Sequence, residues 1–213
     1  MVAWSFVAAG TQATGSNPTV PLPSYSAGNL LLLVVASQTA NTSATPTGYT
    51  SLTSLAGGTG SAYFNIYYKI AGSSETAPTL SIIATTTIAV ILSYSGISNF
   101  DVVGATSNGH TTTATTTSTT TTNANDLVLS IYCAESGLLG AYTWTAPSGT
   151  TARVNSGGTS TTEGLLICDE LQATAGATAS RTATISASKQ WGAVTIAFSI
   201  SAITNISNFF AFF

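Results

Sequence analysis

The stretch AGNLLLLVVAS, residues 27–37, decides how this chain folds. A turn dipeptide, Gly28-Asn29, leads into an unbroken apolar run from Leu30 to Ala36. The run is far shorter than the roughly 20 residues a membrane helix needs. A strand that is apolar at every position has to be covered on both faces. The same pattern returns in ANDLVLSIYCA, residues 124–134, where another turn dipeptide precedes another apolar strand.

Outward from this pair, more matches follow in order. TPTGYTSL (45–52) finds APSGTTAR (146–153), pairing Pro46 with Pro147 and Gly48 with Gly149. FNIYYKI (64–70) finds LLICDEL (165–171), TLSI (79–82) finds TATI (182–185), and AVILSYSGI (89–97) finds AVTIAFSIS (193–201). Order and a spacing of about 100 residues are kept throughout, the mark of an internal duplication. In the last block Val90, Leu92 and Tyr94 share one strand face, as do Val194, Ile196 and Phe198, because side chains alternate with period two. Those faces are bulky; the opposite ones, Ala89, Ile91, Ser93 and Ala193, Thr195, Ala197, are small or polar except at Ile91.

No long helical period occurs, and turn residues punctuate Thr-, Ser- and Val-rich segments, which predicts an all-β chain. Strands are expected at about 30–37, 49–55, 62–70, 78–84 and 87–95, and at their counterparts. The expected architecture is one jelly-roll-like antiparallel β-sandwich over residues 1–203, from half-repeats at about 18–98 and 112–201. Two small sandwiches in series would also fit the repeat. One position breaks the match: Tyr68 is replaced by Asp169, and a charge facing a core is costly unless paired. Either a bulge or strand end turns Asp169 outward, the simpler reading, or it pairs with Arg153 or Arg181.

Composition narrows the function. Only 5% of the 213 residues are charged, against roughly a quarter in ordinary domains, and none lies between Met1 and Tyr68. Four basic residues and a net charge of −3 leave no footprint for nucleic acid. At 44% hydrophobic the chain is not disordered. MVAWSFVAAG lacks a basic n-region and reads as a first strand rather than a secretory signal. Cys133 and Cys168 each sit in an apolar run and are expected to be buried free thiols.

Little points to catalysis. His110 is the sole histidine, in a turn-like context, and no Gly-x-Ser-x-Gly elbow exists. Asp169 and Glu170 are adjacent and so point to opposite strand faces, which spoils them as a glycosidase pair. Asp126 reads as the turn residue opening a strand, as Asn29 does earlier. No Asp-rich loop offers a Ca²⁺ site, and no cofactor is implied.

Taken together, AGNLLLLVVAS, TPTGYTSL, YYKIAGSSET and AVILSYSGI, followed by NANDLVLSIY, resemble a β-sandwich module of bacteriophage virion proteins and prophage-like surface proteins. That family's pattern is a Gly-Asp-Leu-Leu strand, a Pro-x-Gly-(Trp/Tyr)-Thr turn, a Tyr-Lys-x-Ala-Gly strand end and a Tyr-Ser-Gly strand end. Asn29 stands where Asp is usual, and Tyr49 takes the aromatic position; the resemblance spans about residues 18–201. It implies a non-enzymatic virion component on the outer surface of the particle, a head decoration (cement) protein foremost. Its partners would be the major capsid protein, other virion subunits and further copies of itself, with neither nucleic acid nor membrane involved. The alternative is a tail-fibre or baseplate module that binds a receptor or host glycan.

Three features are candidate contact sites. The tail 204–213 ends in Phe209, Phe210, Phe212 and Phe213, rings costing about 1.5–3 kcal/mol each to leave in water, and reads as an anchor docked on a neighbouring subunit, the alternative being that it folds back over its own sandwich. Trp144 and Tyr49 lie in turn contexts, where they either stack a glycan or cap the core. HTTTATTTSTTTTNAND, residues 110–126, lacks the Pro of mucin-like stalks and the Gly of flexible linkers. It reads as an exposed strand opening the second half, with Thr111, Thr113, Thr115, Thr117, Thr119 and Thr121 along an unguarded edge between copies.

Overall fold

Leu30–Ser37 is buried along its whole length, and the two ways it is covered define the molecule. The computed structural model describes residues 3–38, 44–55, 62–136 and 140–200. Among these there is no helix. The strands are β1 Ser5–Ala9, β2 Ala13–Thr14, β3 Leu30–Ser37, β4 Thr50–Leu55, β5 Tyr63–Ile70, β6 Ile88–Ser95, β7 Ile97–Val103 and β8 Ser107–Thr115. They continue as β9 Thr120–Thr121, β10 Asp126–Ala134, β11 Trp144–Thr145, β12 Thr151–Ser156, β13 Gly164–Gln172, β14 Gly176–Ala177 and β15 Thr182–Ile200.

The protein is an all-β antiparallel sandwich. One sheet runs β1-β6-β3-β5-β4, with β2 also on β6. The other runs β11-β15-β10-β13-β12, with β7 and β8 also on β15. The chain completes the first sheet before starting the second. Between them lies one core, where Leu30, Leu32 and Val34 meet Leu127, Leu129 and Ile131, joined by the expected sets Val90, Leu92, Tyr94 and Val194, Ile196, Phe198. The other side of β3, Leu31, Leu33 and Val35, is covered by a flap carrying Val20, Leu80 and Ile82. On the second sheet Tyr132, Leu166 and Cys168 are covered by Ala114, Trp144, Ala183 and Ile185. The both-faces-apolar strands thus sit in the middle layers of a covered sandwich.

The sheets match each other in detail. β4 skips one residue against β5 between Ser51 and Thr53, and β12 skips one against β13 between Ala152 and Val154, so Leu52 and Arg153 are both bulged. Gly48 and Gly149 close the preceding turns at φ +79° and +78°, a conformation that favours glycine. Gly10 N–H donates to Ile91 O at 2.8 Å and Gly104 N–H to Thr195 O at 2.8 Å; Val20 N–H donates to Pro78 O and Thr116 N–H to Arg181 O, both at 2.9 Å.

Two expectations change. Residues 78–84 do not form a strand but an extended flap, bridged at Thr19↔Thr79 and burying Leu80 and Ile82. Asn17, Val20 and Leu80 donate between 17–20 and the flap, but Pro18 and Pro78 have no N–H with which to complete the ladder. Opposite Thr182–Thr184 the facing residues of β8 include no proline, and there the ladder forms. The second sheet also takes an edge strand from β7, upstream of residue 112, so the threonine tract does not open it.

Candidate functional site

A chain with so few charges reveals its chemistry by where it puts them. None of the four basic and seven acidic residues is exposed; each is half-buried or buried. Lys69 pairs with Glu75, and its ammonium lies 4.8 Å from the centre of the Tyr49 ring. The bond from Lys69 is the main cause that holds the Glu75 carboxyl below its ordinary range. Arg181 donates from Nε to Glu170 Oε1 at 2.9 Å and from Nη1 to Ser148 O at 3.0 Å.

Asp169 does not turn outward. It is 2% exposed and accepts from Arg153 Nε at 2.7 Å. The bulge lies on the partner strand, where it releases Arg153 from the ladder and lets it bond Asp169 while lying over Phe6 at 4.5 Å. Asp169 also sits beside Tyr94, whose hydroxyl pKa is pushed well above ordinary by burial first and then by the Asp169 charge. At the opposite end of the core the matching positions are apolar: Tyr68 meets Phe198 edge-on at 5.4 Å, and Leu52 packs nearby.

Two buried acids make no ion pair among the described residues. Asp126 is fully buried at the start of β10, and its pKa is raised to about 7 by burial and then by Asp101. Asp101 occupies a bulge of β7; despite its own burial it is held low by Thr122 and Asn123, whose Thr122 N–H donates at 2.9 Å. Glu163 is 0% exposed; Thr86 Oγ1 donates to Oε1 at 3.2 Å, while Oε2 has no protein donor. Burial first, with Glu135 adding, pushes its pKa to about 8. Sequence reading missed both sites. The motif Phe-x-(Ala/Val)-(Ala/Val)-Gly at Phe6–Gly10 and Phe100–Gly104 would have exposed Asp101 as an acid in the place of Val7.

The contact residues separate. Trp144 and Tyr49 are 5% and 8% exposed, so their rings cap the outer layers rather than stand as stacking platforms. Trp144 packs edge-on against Tyr142 at 6.2 Å. Of the threonines, Thr111 and Thr113 are exposed on β8, Thr115, Thr117 and Thr119 are half-buried, and Thr121 is buried. The tract is not one strand: β8 ends at Thr115, and Thr119 and Thr121 are tied to Thr178 and Gly176. His110 is exposed, on β8 rather than in a turn. Phe209, Phe210, Phe212 and Phe213, with the whole tail 204–213, lie outside the described residues.

Cys133 and Cys168 are free and buried, as expected. Burial raises both thiol pKa values, that of Cys168 to about 11. A thiol reagent at mildly alkaline pH should therefore leave the native protein unmodified and label both cysteines in denaturant; labelling of the native state would contradict this packing. Among the described residues no group of three or more His, Cys, Asp or Glu could hold a metal. Comparison with protein families, curated proteins and solved structures finds no match for this chain.

Proposed function

We propose that this protein is a non-catalytic structural subunit of a phage particle, a decoration protein on the outer surface of the head. It is held there by contacts with capsid subunits and with copies of itself. The observation that carries this reading is the charge-poor surface: among the described residues no charged side chain is exposed, and the exterior is mostly Thr, Ser, Asn, Gly and Ala, with Val7, Ile70, Ile83 and Leu171 also exposed. Such an exterior gives little electrostatic repulsion between copies, which suits a protein packed in a lattice. The matched bulges and bonds of the two sheets support reading them as divergent copies of one unit. The edge of β8 that pairs only with β15, at Thr111 to Thr113, is the place where a second copy adds.

Counting copies on purified particles tests this directly. A number matching the capsid lattice, spread over the head, is expected; a few copies confined to the tail would overturn it. Thr113→Lys, which places a charge on the open edge, should weaken self-association. Raising salt from about 0.05 to 1 M should change the wild-type association little, since its charges are few and half-buried or buried.

A further inference from the structure

The two sheets differ most usefully at one place, a groove beside the turn that precedes β4. In the second sheet the equivalent space is filled. Arg181 reaches across the turn, donates to Ser148 O and pairs with Glu170. Its guanidinium lies so close that a Cβ on Gly149 would be 3.2 Å from Nη1. In the first sheet the position matching Arg181 is Pro78, by the equivalent bonds from Val20 and Thr116. A pyrrolidine ring cannot reach, and Gly48 faces nothing nearer than Lys69 Nζ at 3.8 Å. What remains is a groove of about 610 Å³, lined among others by Pro46, Thr47, Lys69, Glu75, Pro78 and Ser81.

The lining points to the ligand class. Its only charges are Lys69 and Glu75, which neutralise each other, so neither an anion nor a cation is favoured. Both are held in place before any ligand arrives: Glu75 accepts from Gly72 N at 2.7 Å, and its own N–H donates to Tyr25 Oη at 2.8 Å. Lys69 rests on Tyr49. A fixed ammonium and carboxylate with spare valences make strong hydrogen bonds to ligand hydroxyls. The rim adds the hydroxyls of Thr47, Ser74, Thr76 and Ser81, and two prolines offer flat C–H surface. No residue of β4, the edge strand of this sheet, lines the groove, so a peptide added to that edge would not lie in it. We propose that this groove binds a neutral oligosaccharide, a property independent of where on a particle the protein sits.

The full chain is tested on an array of neutral glucans, mannans and N-acetylglucosamine oligomers, with anionic oligosaccharides alongside. Pro78→Arg copies the plug of the second sheet, and Ser81→Trp narrows the groove from an exposed position. The wild type should retain at least one neutral oligosaccharide. Each variant that keeps the wild-type melting temperature should bind it at least about tenfold more weakly. If Pro78→Arg does not fold, Ser81→Trp decides alone. Retention of no neutral oligosaccharide, preference for anionic ones, or unchanged affinity in the folded variants would overturn the proposal.

Discussion

Arg153→Ala should destabilise the protein by about 3–5 kcal/mol, the size expected when one partner of a buried ion pair is removed. Asp169 is 2% exposed in the inter-sheet core, and Arg153 is its bonded cation. Without the guanidinium the Asp169 carboxylate is left in the core without its bonded cation, and Phe6 loses the planar group lying over it. The opposite end of the core states how to repair the damage. There Leu52, Tyr68 and Phe198 occupy the places of Arg153, Asp169 and Tyr94. The triple variant Arg153→Leu, Asp169→Tyr, Tyr94→Phe should therefore recover stability to within about 1.5 kcal/mol of wild type, because buried ion pairs are often replaceable by packed apolar groups. Urea unfolding of the three proteins reads the difference. A triple variant as unstable as Arg153→Ala would mean that the two ends of the core are not interchangeable.

This pair shows what could be read from sequence. The all-β sandwich follows from the unbroken apolar run Leu30–Ala36, which needs cover on both faces, and from the alternation in Val90–Tyr94 and Val194–Phe198. The break at Asp169 was visible too, but not its resolution, because a bulge is invisible in composition: Arg153 reaches Asp169 only because β12 carries one residue more than β13 opposes. The flap at 78–84 departs from its strand-like pattern for a related reason. Its alternation is that of a strand, yet Pro18 on the facing segment and Pro78 in the flap itself lack the N–H groups that would return the bonds made by Leu80 and Val20, so only an isolated bridge forms. Trp144 and Tyr49 followed the same logic, since a turn context says where the backbone is and not which way a ring folds. The groove could not be seen at all from one half. It appears only when Pro78 is set against Arg181, positions that the match of TLSI with TATI already aligns and that two equivalent backbone hydrogen bonds support.

The second large effect is a dependence on pH that runs against habit, with the protein losing stability as conditions become alkaline. Unfolded, Glu163 titrates near its ordinary 4.5; folded, it keeps its proton until about pH 8. Over that interval the folded state binds more protons than the unfolded one. Its stability is therefore full below the unfolded value, declines as pH rises and levels off above the folded value. At full size the decline is about 4–5 kcal/mol, from the free energy per pKa unit. Burial is the main cause, Glu135 adds to it, and Ser136 N–H, the Thr86 hydroxyl and Lys189 oppose it. Asp126, raised to about 7, contributes a second decline in an overlapping range. Glu163→Gln separates the two. The amide still accepts from Thr86, cannot ionise, and places its NH₂ where Oε2 has no donor. Unfolding of wild type and variant, compared at about pH 5 and pH 9, should show a shallower loss in the variant and greater stability than wild type at the alkaline end. Parallel curves would show that Glu163 is ionised in the folded protein and that its neighbours, rather than its proton, neutralise it.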